Sequence, residues 1–203
     1  MSKEQQIGAK PVGWVGILAG RLMNLIRKNE YREIIQGLKS RSLEPVQCIL
    51  DIGCGGGDAI QMLSRQFPDS LIYGIDHAQE MVNLSEKVNR AAIYAGKVKI
   101  LHNPVDAMDI TSHSVDIVTA FDTINFWDDY AKAYKEIRRV LKEDGSLIVV
   151  NGYPPVGSTW YEFVKFKNDA AYKDFLFEHG FQVTHLEIKN HTIVMDTLIQ
   201  LPQ

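Results

Sequence analysis

The sequence predicts an α/β fold, a mainly parallel sheet with helices on both faces. Short apolar segments of strand length alternate along the chain with longer segments whose apolar residues recur at every third or fourth position, which is typical of repeated strand–helix units. In addition, the short apolar run that starts at Cys48 ends in the acidic residue Asp51, and four glycines follow among residues 53–57. A buried parallel strand that turns sharply into a helix has this pattern.

The first half of the chain contains three predicted strands. After the glycines, Asp58 opens a helix that Pro68 stops. The apolar run 71–76 is the second strand. One helix is then predicted to end near Gly96, because four apolar residues share one of its faces: Met81, Leu84, Val88 and Ala92. The run 98–101 is the third strand.

The second half repeats the alternation and closes with a hairpin. The apolar run 115–121 is the fourth strand, and helical spacing over 128–141 is followed by a turn and a fifth strand that reaches Val150. A last helix over 170–179 ends at a glycine. Two further apolar or alternating runs, joined at Asn190 and His191, predict an antiparallel pair: 181–189 and 192–200.

Residues 1–40 are predicted to form a helical extension that packs on one globular domain, 41–203. The apolar run Val12–Ala19 is cut by Arg21, far short of the roughly twenty residues that a membrane span needs. No cleavage site typical of a signal peptide accompanies it. We therefore expect neither a membrane segment nor a signal peptide.

The composition disfavours two classes of protein. With 22 basic and 25 acidic residues the net charge is −3, whereas nucleic-acid-binding domains are usually strongly basic. The only two cysteines, Cys48 and Cys54, have no Cys or His partners at metal-binding spacing, so neither a disulfide framework nor a zinc site is expected. We expect a cytoplasmic protein with no metal, no nucleic-acid partner and no membrane partner.

The segment Asp51–Asp58 is predicted to bind a nucleotide-type cofactor. The dinucleotide fingerprint needs a third glycine at position 58, where this sequence has Asp58. Carboxylates at both ends of the loop would repel a pyrophosphate and attract a cation, such as the ammonium and sulfonium groups of S-adenosylmethionine. A glycine turn without a ligand is the alternative, but such a loop weakens a fold unless something uses it.

The run Asp51–Gly57, Asp-Ile-Gly-Cys-Gly-Gly-Gly, resembles the first motif of class I S-adenosylmethionine-dependent methyltransferases, roughly Asp/Glu-x-Gly-x-Gly-x-Gly. The run Arg138–Val150 resembles the family's Arg-x-Leu-Lys-Pro-Gly-Gly passage, although Glu143 and Asp144 replace Pro and Gly. The resemblance covers nearly the whole chain. It implies S-adenosyl-L-methionine as the cofactor and a seven-stranded Rossmann-like sheet of order 3-2-1-4-5-7-6, with the last strand antiparallel.

Asp76 ends the second strand nineteen residues after Gly57, where a carboxylate can accept hydrogen bonds from both ribose hydroxyls, although an Asp there can also cap a helix. The resemblance implies that Asp106 bonds the adenine amino group and that the backbone amide of Ala107 holds a ring nitrogen. An Asx turn at Asp106 is the alternative. The predicted cofactor contacts are Asp51, Gly53, Cys54, Gly55, Asp76, His77, Met81, Asp106, Ala107 and Phe121.

The loop after the fourth strand is predicted to face the reactive methyl group, because ligands of open parallel sheets bind outside the carboxyl ends of the strands. Phe126 and Trp127 could stack on the substrate or place a ring near the sulfonium, and core packing is the alternative. The resemblance implies that the N-terminal helices close over this site, with packing again the alternative. The predicted substrate contacts are Met23, Asn24, Asn125, Phe126, Trp127, Tyr153 and Trp160.

Direct displacement at a methyl group requires alignment, and it requires a general base only when the nucleophile carries a proton. No catalytic residue is identified, and the candidates for a base are His77, His102, Asp122 and Tyr153. The Asp/Asn-Pro-Pro-Tyr/Phe run of amino-methylating nucleic-acid and glutamine enzymes is absent after the fourth strand, as is the Cys that methylation of a base carbon needs. We predict a methyltransferase that acts on oxygen, nitrogen, sulfur or carbon of a small molecule.

Two other functions remain open at this point. One is a non-catalytic module that binds S-adenosylmethionine or S-adenosylhomocysteine and acts through a partner. The other is an NAD-dependent dehydrogenase, which Asp58 disfavours. The sequence leaves the oligomeric state open, with a homodimer as one option.

Overall fold

The computed structural model describes residues 27–38, 45–158, 161–162, 164–189 and 192–199. Within these residues seven strands form one sheet. The strands are β1 (Cys48–Ile52), β2 (Leu71–Asp76), β3 (Val98–His102), β4 (Val115–Phe121), β5 (Leu141–Gly152), β6 (Phe181–Lys189) and β7 (Thr192–Ile199). The helices are α1 (27–38), α2 (Asp58–Gln66), α3 (Gln79–Val88), α4 (Arg90–Tyr94), α5 (Tyr130–Val140) and α6 (Asp169–Glu178), with a 3₁₀ turn at Ile124–Phe126.

The order of the strands is β3-β2-β1-β4-β5-β7-β6. β1 pairs in parallel with β2, β2 with β3, and β4 with β5. β7 lies antiparallel to both β5 and β6. The predicted fold class, strand order and antiparallel last strand are therefore confirmed. The predicted turn between β6 and β7, at Asn190 and His191, lies outside the described residues.

The chain forms two compact units, Met1–Val105 and Asp106–Gln203. The first contains β1 to β3 and α1 to α4, and the second contains the other elements. α1 buries three apolar side chains, Tyr31, Ile35 and Leu38. The predicted helical residues before 27 lie outside the described part of the chain. The division into an extension, 1–40, and one domain, 41–203, stays a prediction.

The predicted apolar runs form strands whose side chains are buried on both faces of the sheet. All five residues of β1 are buried, and in β4 every residue except Asp116 is buried. Strands that are covered on both faces read as continuous apolar runs rather than as alternating ones. α2 presents one apolar face, with Ala59, Ile60 and Leu63 buried.

One predicted helix is wrong in its length. Instead of a single helix that ends near Gly96, the structure has α3 and α4, which are separated by Asn89. The Asn89 side chain donates to the Ser85 carbonyl at 3.0 Å and to the Gly57 carbonyl at 3.0 Å. Asn side chains compete with the helix for backbone partners, and here that competition divides the helix.

The turn that was predicted between α5 and the fifth strand is absorbed into β5, which begins directly at Leu141. Val115 of β4 pairs with Leu141, whereas Ile117 pairs with Ser146. Two steps along β4 thus correspond to five along β5, so the extra residues form an irregularity inside the strand. β5 also runs past the predicted end at Val150 to Gly152.

Within the described residues, no helix combines the length and the apolar character that a membrane crossing requires.

Candidate functional site

The glycine loop, residues 53–57, connects the end of β1 to the start of α2. Gly53, Gly55 and Gly57 have φ of +67°, +50° and +84°, values that residues with a β-carbon rarely adopt. The Cys54 amide donates to the Ile75 carbonyl of β2 at 2.9 Å. The loop is therefore a tight turn that is attached to the neighbouring strand.

One side of the glycine loop is closely packed. A β-carbon on Gly57 would lie 2.5 Å from Asn89 Nδ2 and 2.5 Å from Ser85 Oγ. The loop thus rests on the last turn of α3, which explains why position 57 requires glycine. Ser85 and Asn89 were not identified from the sequence. The available signal was the residue type of Asn89, since Asn has a low helix propensity, although the apolar spacing continues through it.

The Gly55 side of the loop is open. A β-carbon there would meet nothing nearer than the Gly53 carbonyl oxygen, at 3.9 Å. Space beside a backbone that side chains do not shield is what a bound ligand requires. The residues around this loop therefore fit a ligand on the Gly55 side.

Asp76, at the end of β2, is 6% exposed and bonds to two backbone amides. Its Oδ2 accepts from Gly55 N at 2.9 Å, and its Oδ1 accepts from Ala78 N at 2.9 Å. Because each carboxylate oxygen has two acceptor sites, capacity for ligand hydroxyls remains. Asp76 thus caps the turn into α3 and holds the glycine loop. Its contact with a ribose stays a prediction.

Two carboxylates give the glycine loop a negative environment. Asp51, at 1% exposed, and Asp76 are both buried. Burial first, and then the charges of Asp51 and Asp76, raise the pKa of the Cys54 thiol well above its usual value. The buried thiol approaches Ser85 Oγ at 3.8 Å, so Cys54 can offer only its backbone to a ligand. A field that disfavours a thiolate favours a bound cation.

The other predicted cofactor contacts of the first unit differ in exposure. Met81 of α3 is buried. The His77 side chain is exposed, with Nδ1 at 3.6 Å from Asp76 Oδ1, and the His77 carbonyl lies 2.8 Å from His102 Nε2. The structure therefore brings together Asp51, Gly53, Cys54, Gly55, Asp76 and His77.

In the second unit, Asp106 and Ala107 are exposed on the loop that follows β3. The next residue, Met108, is buried. Its amide and carbonyl bond to Glu136 and Arg139 of α5. The adenine contacts predicted for Asp106 and Ala107 stay predictions.

The carboxyl end of β4 has an unusual backbone. Asp122 has φ of +53°, which is a strained conformation for a residue other than glycine. Its amide donates to the Val150 carbonyl at 2.7 Å, and its Oδ1 accepts from Gly152 N at 2.6 Å. These bonds attach the end of β4 to the end of β5. Phe121, the last residue of β4, is buried.

A small pocket lies beyond the ends of β4 and β5, and its cavity volume of about 10 Å³ is roughly the room that one water molecule needs. It includes two predicted substrate residues, Asn125 and Tyr153. Asn151 also lines it, is 3% exposed, and carries an Oδ1 with no hydrogen-bond partner among the described residues. The remaining lining residues are mostly apolar or aromatic: Ile124, Gly152, Val164, Phe166, Tyr172 and Ile193.

Of the other predicted substrate residues that the structure describes, Phe126 and Trp127 do not line this pocket. Trp127 is buried, and its ring lies 6.1 Å from that of Tyr130 and 5.6 Å from that of Tyr134, so it packs in an aromatic core. This arrangement corresponds to the packing alternative. Phe126 is half-buried beside it. Three further predicted contacts lie outside the described residues: Met23, Asn24 and Trp160.

The candidate bases are constrained by their neighbours. His102 and Asp122 are engaged with the backbone, as described above. Burial, followed by Tyr161 and Asp169, raises the pKa of the Tyr153 phenol. Tyr153 therefore keeps its proton at neutral pH and can donate a hydrogen bond, but it is a poor base.

Comparisons with known proteins agree with this architecture. A family described as a methyltransferase domain matches residues 50–149. The ubiquinone/menaquinone biosynthesis C-methyltransferase UbiE of Geotalea uraniireducens is 32% identical over 108 residues, 53% of this chain and 46% of that protein. The uncharacterized methyltransferase YcgJ of Bacillus subtilis is 28% identical over 120 residues, 59% of this chain and 46% of that protein. The matched region spans about half the length of these relatives.

Solved structures show the same fold. A SAM-dependent methyltransferase from Aquifex aeolicus superposes with a TM-score of 0.77 at 19% identity, over 90% of this chain and 98% of that chain. A putative S-adenosyl-L-methionine-dependent methyltransferase from Methanococcus maripaludis has a TM-score of 0.75 at 20% identity, over 92% and 94%. With its glycine loop and its strand order, the chain belongs to the class I S-adenosylmethionine-dependent methyltransferases, and its cofactor is S-adenosyl-L-methionine.

Proposed function

We propose that this protein transfers the methyl group of S-adenosylmethionine to a small-molecule acceptor. The observation that carries the proposal is the glycine loop between two buried carboxylates, Asp51 and Asp76, with open space beside Gly55. The ammonium and sulfonium groups of S-adenosylmethionine suit this environment, whereas a pyrophosphate would be repelled. In this proposal the loop backbone and Asp51 hold the amino-acid end, and Asp76 accepts from the ribose.

The reaction is a direct displacement. The acceptor atom shares its electron pair with the methyl carbon while the carbon–sulfur bond breaks, and that bonding pair stays on sulfur, giving the neutral thioether S-adenosylhomocysteine. Because the sulfonium is already an activated leaving group, the work of the protein is to align the two reactants and to exclude water. A base is needed only for an acceptor that carries a proton at neutral pH.

The acceptor is proposed to bind in the pocket beyond the ends of β4 and β5, which is the end of a parallel sheet where ligands bind. Because the pocket has room for about one water molecule, its walls would have to move apart when an acceptor binds. Its apolar and aromatic side chains favour an apolar molecule, and Asn125 and Tyr153 would orient it. The unpartnered Oδ1 of Asn151 would accept a hydrogen bond from a hydroxyl or amine of that molecule. The name of the Geotalea relative specifies transfer to carbon, and carbon is one of the four acceptor atoms that the sequence allows.

Calorimetric titration tests the cofactor part of the proposal. We expect S-adenosylmethionine and S-adenosylhomocysteine to bind and NAD not to bind. Binding of NAD without either of the other two would make the protein a dehydrogenase and would refute the proposal. Weak binding that is equal for all three compounds would refute it as well.

Turnover separates an enzyme from a binding module. The protein is incubated with S-adenosylmethionine that carries a labelled methyl group and with a metabolite extract, and labelled products are identified by mass. A labelled small molecule that depends on the protein supports the proposal. Tight cofactor binding without any labelled product would favour a non-catalytic module that acts through a partner. The cytoplasmic location and the oligomeric state stay predictions.

A further inference from the structure

The loop that follows β3 is held by two side chains of α5, Glu136 and Arg139. Arg139 Nη2 donates to the Met108 carbonyl at 2.9 Å, and Nη1 donates to the Ile110 carbonyl at 2.8 Å and to Ser112 Oγ at 3.1 Å. Glu136 Oε2 accepts from Met108 N at 3.1 Å. Both polar groups of the Met108 backbone are thus bonded to α5.

The two side chains also hold each other. Arg139 Nε donates to Glu136 Oε1 at 2.9 Å, and Nη2 donates to Glu136 Oε2 at 2.8 Å. With the three bonds to the loop, these five bonds engage the five N–H donors that a guanidinium possesses. A lysine has three donors on a single nitrogen and cannot reproduce this planar fork. The arrangement, called here the Arg139–Glu136 clamp, therefore depends on arginine.

The clamp acts next to the two residues that are predicted to contact adenine. Asp106 and Ala107 are exposed, so burial of their own side chains does not fix their position. The Met108 N–H belongs to the same peptide group as the Ala107 carbonyl, and Glu136 accepts from that N–H. The orientation of this peptide plane is therefore set by α5.

We propose that Arg139 and Glu136 are positioning residues for cofactor recognition. They fix the backbone at Ala107 and Met108, so that the neighbouring Asp106 carboxylate is held where it can distinguish the adenine amino group from the carbonyl of other purines. This inference rests on the proposed function, because it takes the adenine contacts from there. It goes beyond that function by assigning a role to α5 residues that do not themselves touch the cofactor. Arg139 lies within the passage Arg138–Val150, whose role the proposed function leaves open.

Two ligands that differ only in the purine test this inference. S-adenosylhomocysteine carries the adenine amino group, whereas S-inosylhomocysteine carries a carbonyl in its place. The affinity of the full-length protein for each is measured by calorimetry. We expect the unmodified protein to prefer S-adenosylhomocysteine by about tenfold or more, since the amino group makes a hydrogen bond to a charged carboxylate.

The variant Arg139→Lys is expected to lose most of that preference, with affinity for S-adenosylhomocysteine reduced by about tenfold and affinity for S-inosylhomocysteine nearly unchanged. Arg138→Lys is the matched control. Arg138 precedes Arg139 in the same helix and donates instead to the Gly180 carbonyl at 2.8 Å, so its variant should keep the preference. Glu136→Gln keeps an oxygen for Met108 N but loses the charge, and it tests the same clamp should Arg139→Lys not fold.

The possible results separate the two proposals. If the unmodified protein binds neither ligand, the proposed function fails and the clamp inference fails with it. If it binds both ligands equally, cofactor binding stands and adenine recognition by this loop is refuted. If it prefers S-adenosylhomocysteine but the folded Arg139→Lys or Glu136→Gln variant loses affinity for both ligands in the same proportion, the clamp is only structural and the inference is overturned.

Discussion

Replacement of Gly57 by alanine tests how the glycine loop is supported. Two effects add. Alanine at φ +84° costs about 1–2 kcal/mol because its β-carbon crowds the backbone in the left-handed region. The new β-carbon would also lie 2.5 Å from both Asn89 Nδ2 and Ser85 Oγ and 2.9 Å from Ser85 Cα. Such overpacking costs about 1–3 kcal/mol, so Gly57→Ala should lose about 2–5 kcal/mol of unfolding free energy.

A second glycine separates these two effects. Gly96 has φ of +72° and would place a β-carbon where no heavy atom lies within 4 Å. Gly96→Ala should therefore show the conformational cost alone, about 1–2 kcal/mol. The unfolding free energies of both variants are measured by urea denaturation. The slope of unfolding free energy against urea concentration should be the same in the variants and in the unmodified protein. The difference between the two variants measures the contact with α3.

A double-mutant cycle sharpens the same test. Ser85→Ala removes the hydroxyl that would meet the new β-carbon, so in the Gly57→Ala background it should restore about 1 kcal/mol. The recovery is partial because Ser85 Cα remains at 2.9 Å. The reasoning would be refuted if Gly57→Ala cost no more than Gly96→Ala, or if Ser85→Ala had the same effect in both backgrounds.

Asp76→Ala should weaken binding of S-adenosylhomocysteine by about 1.5–3 kcal/mol in calorimetry, since it removes the proposed ribose contact and the bond to Gly55 N. Unchanged affinity would refute the ribose contact proposed for Asp76. Tyr134→Phe should lower the free energy of unfolding, measured by urea denaturation, by about 1–3 kcal/mol because it leaves the buried Tyr172 hydroxyl without its partner. Adding Tyr172→Phe should recover part of that loss, and a larger loss in the double variant would contradict the hydrogen bond between the two hydroxyls. Burial raises the pKa values of both phenols above the usual value. Above about pH 10 the unfolded chain therefore releases protons that the folded chain keeps, and the free energy of unfolding should fall as the pH rises. Urea midpoints that stay constant from about pH 8 to 11 would contradict the raised pKa values of these two buried phenols.

Features that depend on neighbours in the sequence were predictable. The apolar run 48–52, the glycines and the helical spacing after Asp58 each encode a local conformation, so strand, turn and helix appear where they were expected. The strand order, which the resemblance implied, is confirmed as well. The break at Asn89 was missed because the apolar spacing continues through it, and the break depends on bonds to Ser85 and Gly57.

Features that depend on distant contacts were not predictable. Asn89 supports a glycine that lies 32 positions away, and Arg139 holds carbonyls 29 and 31 positions away. Trp127 could stack on a ligand or pack in a core, and only the rings of Tyr130 and Tyr134 around it distinguish the two. The type of a residue limits the hydrogen bonds and contacts that its side chain can make, but the tertiary structure determines which residue becomes its partner.

The sequence by itself determined that residues 53–57 form a glycine-rich turn next to acidic residues, since glycine content and charge are properties of the chain. Only the tertiary structure decided which side of that turn is available. Ser85 of α3 and Asn89 directly after it fill the Gly57 side, and the Gly55 side is left open. The physical reason is steric: the packing of a helix that lies about thirty residues further along the chain determines where a ligand has room.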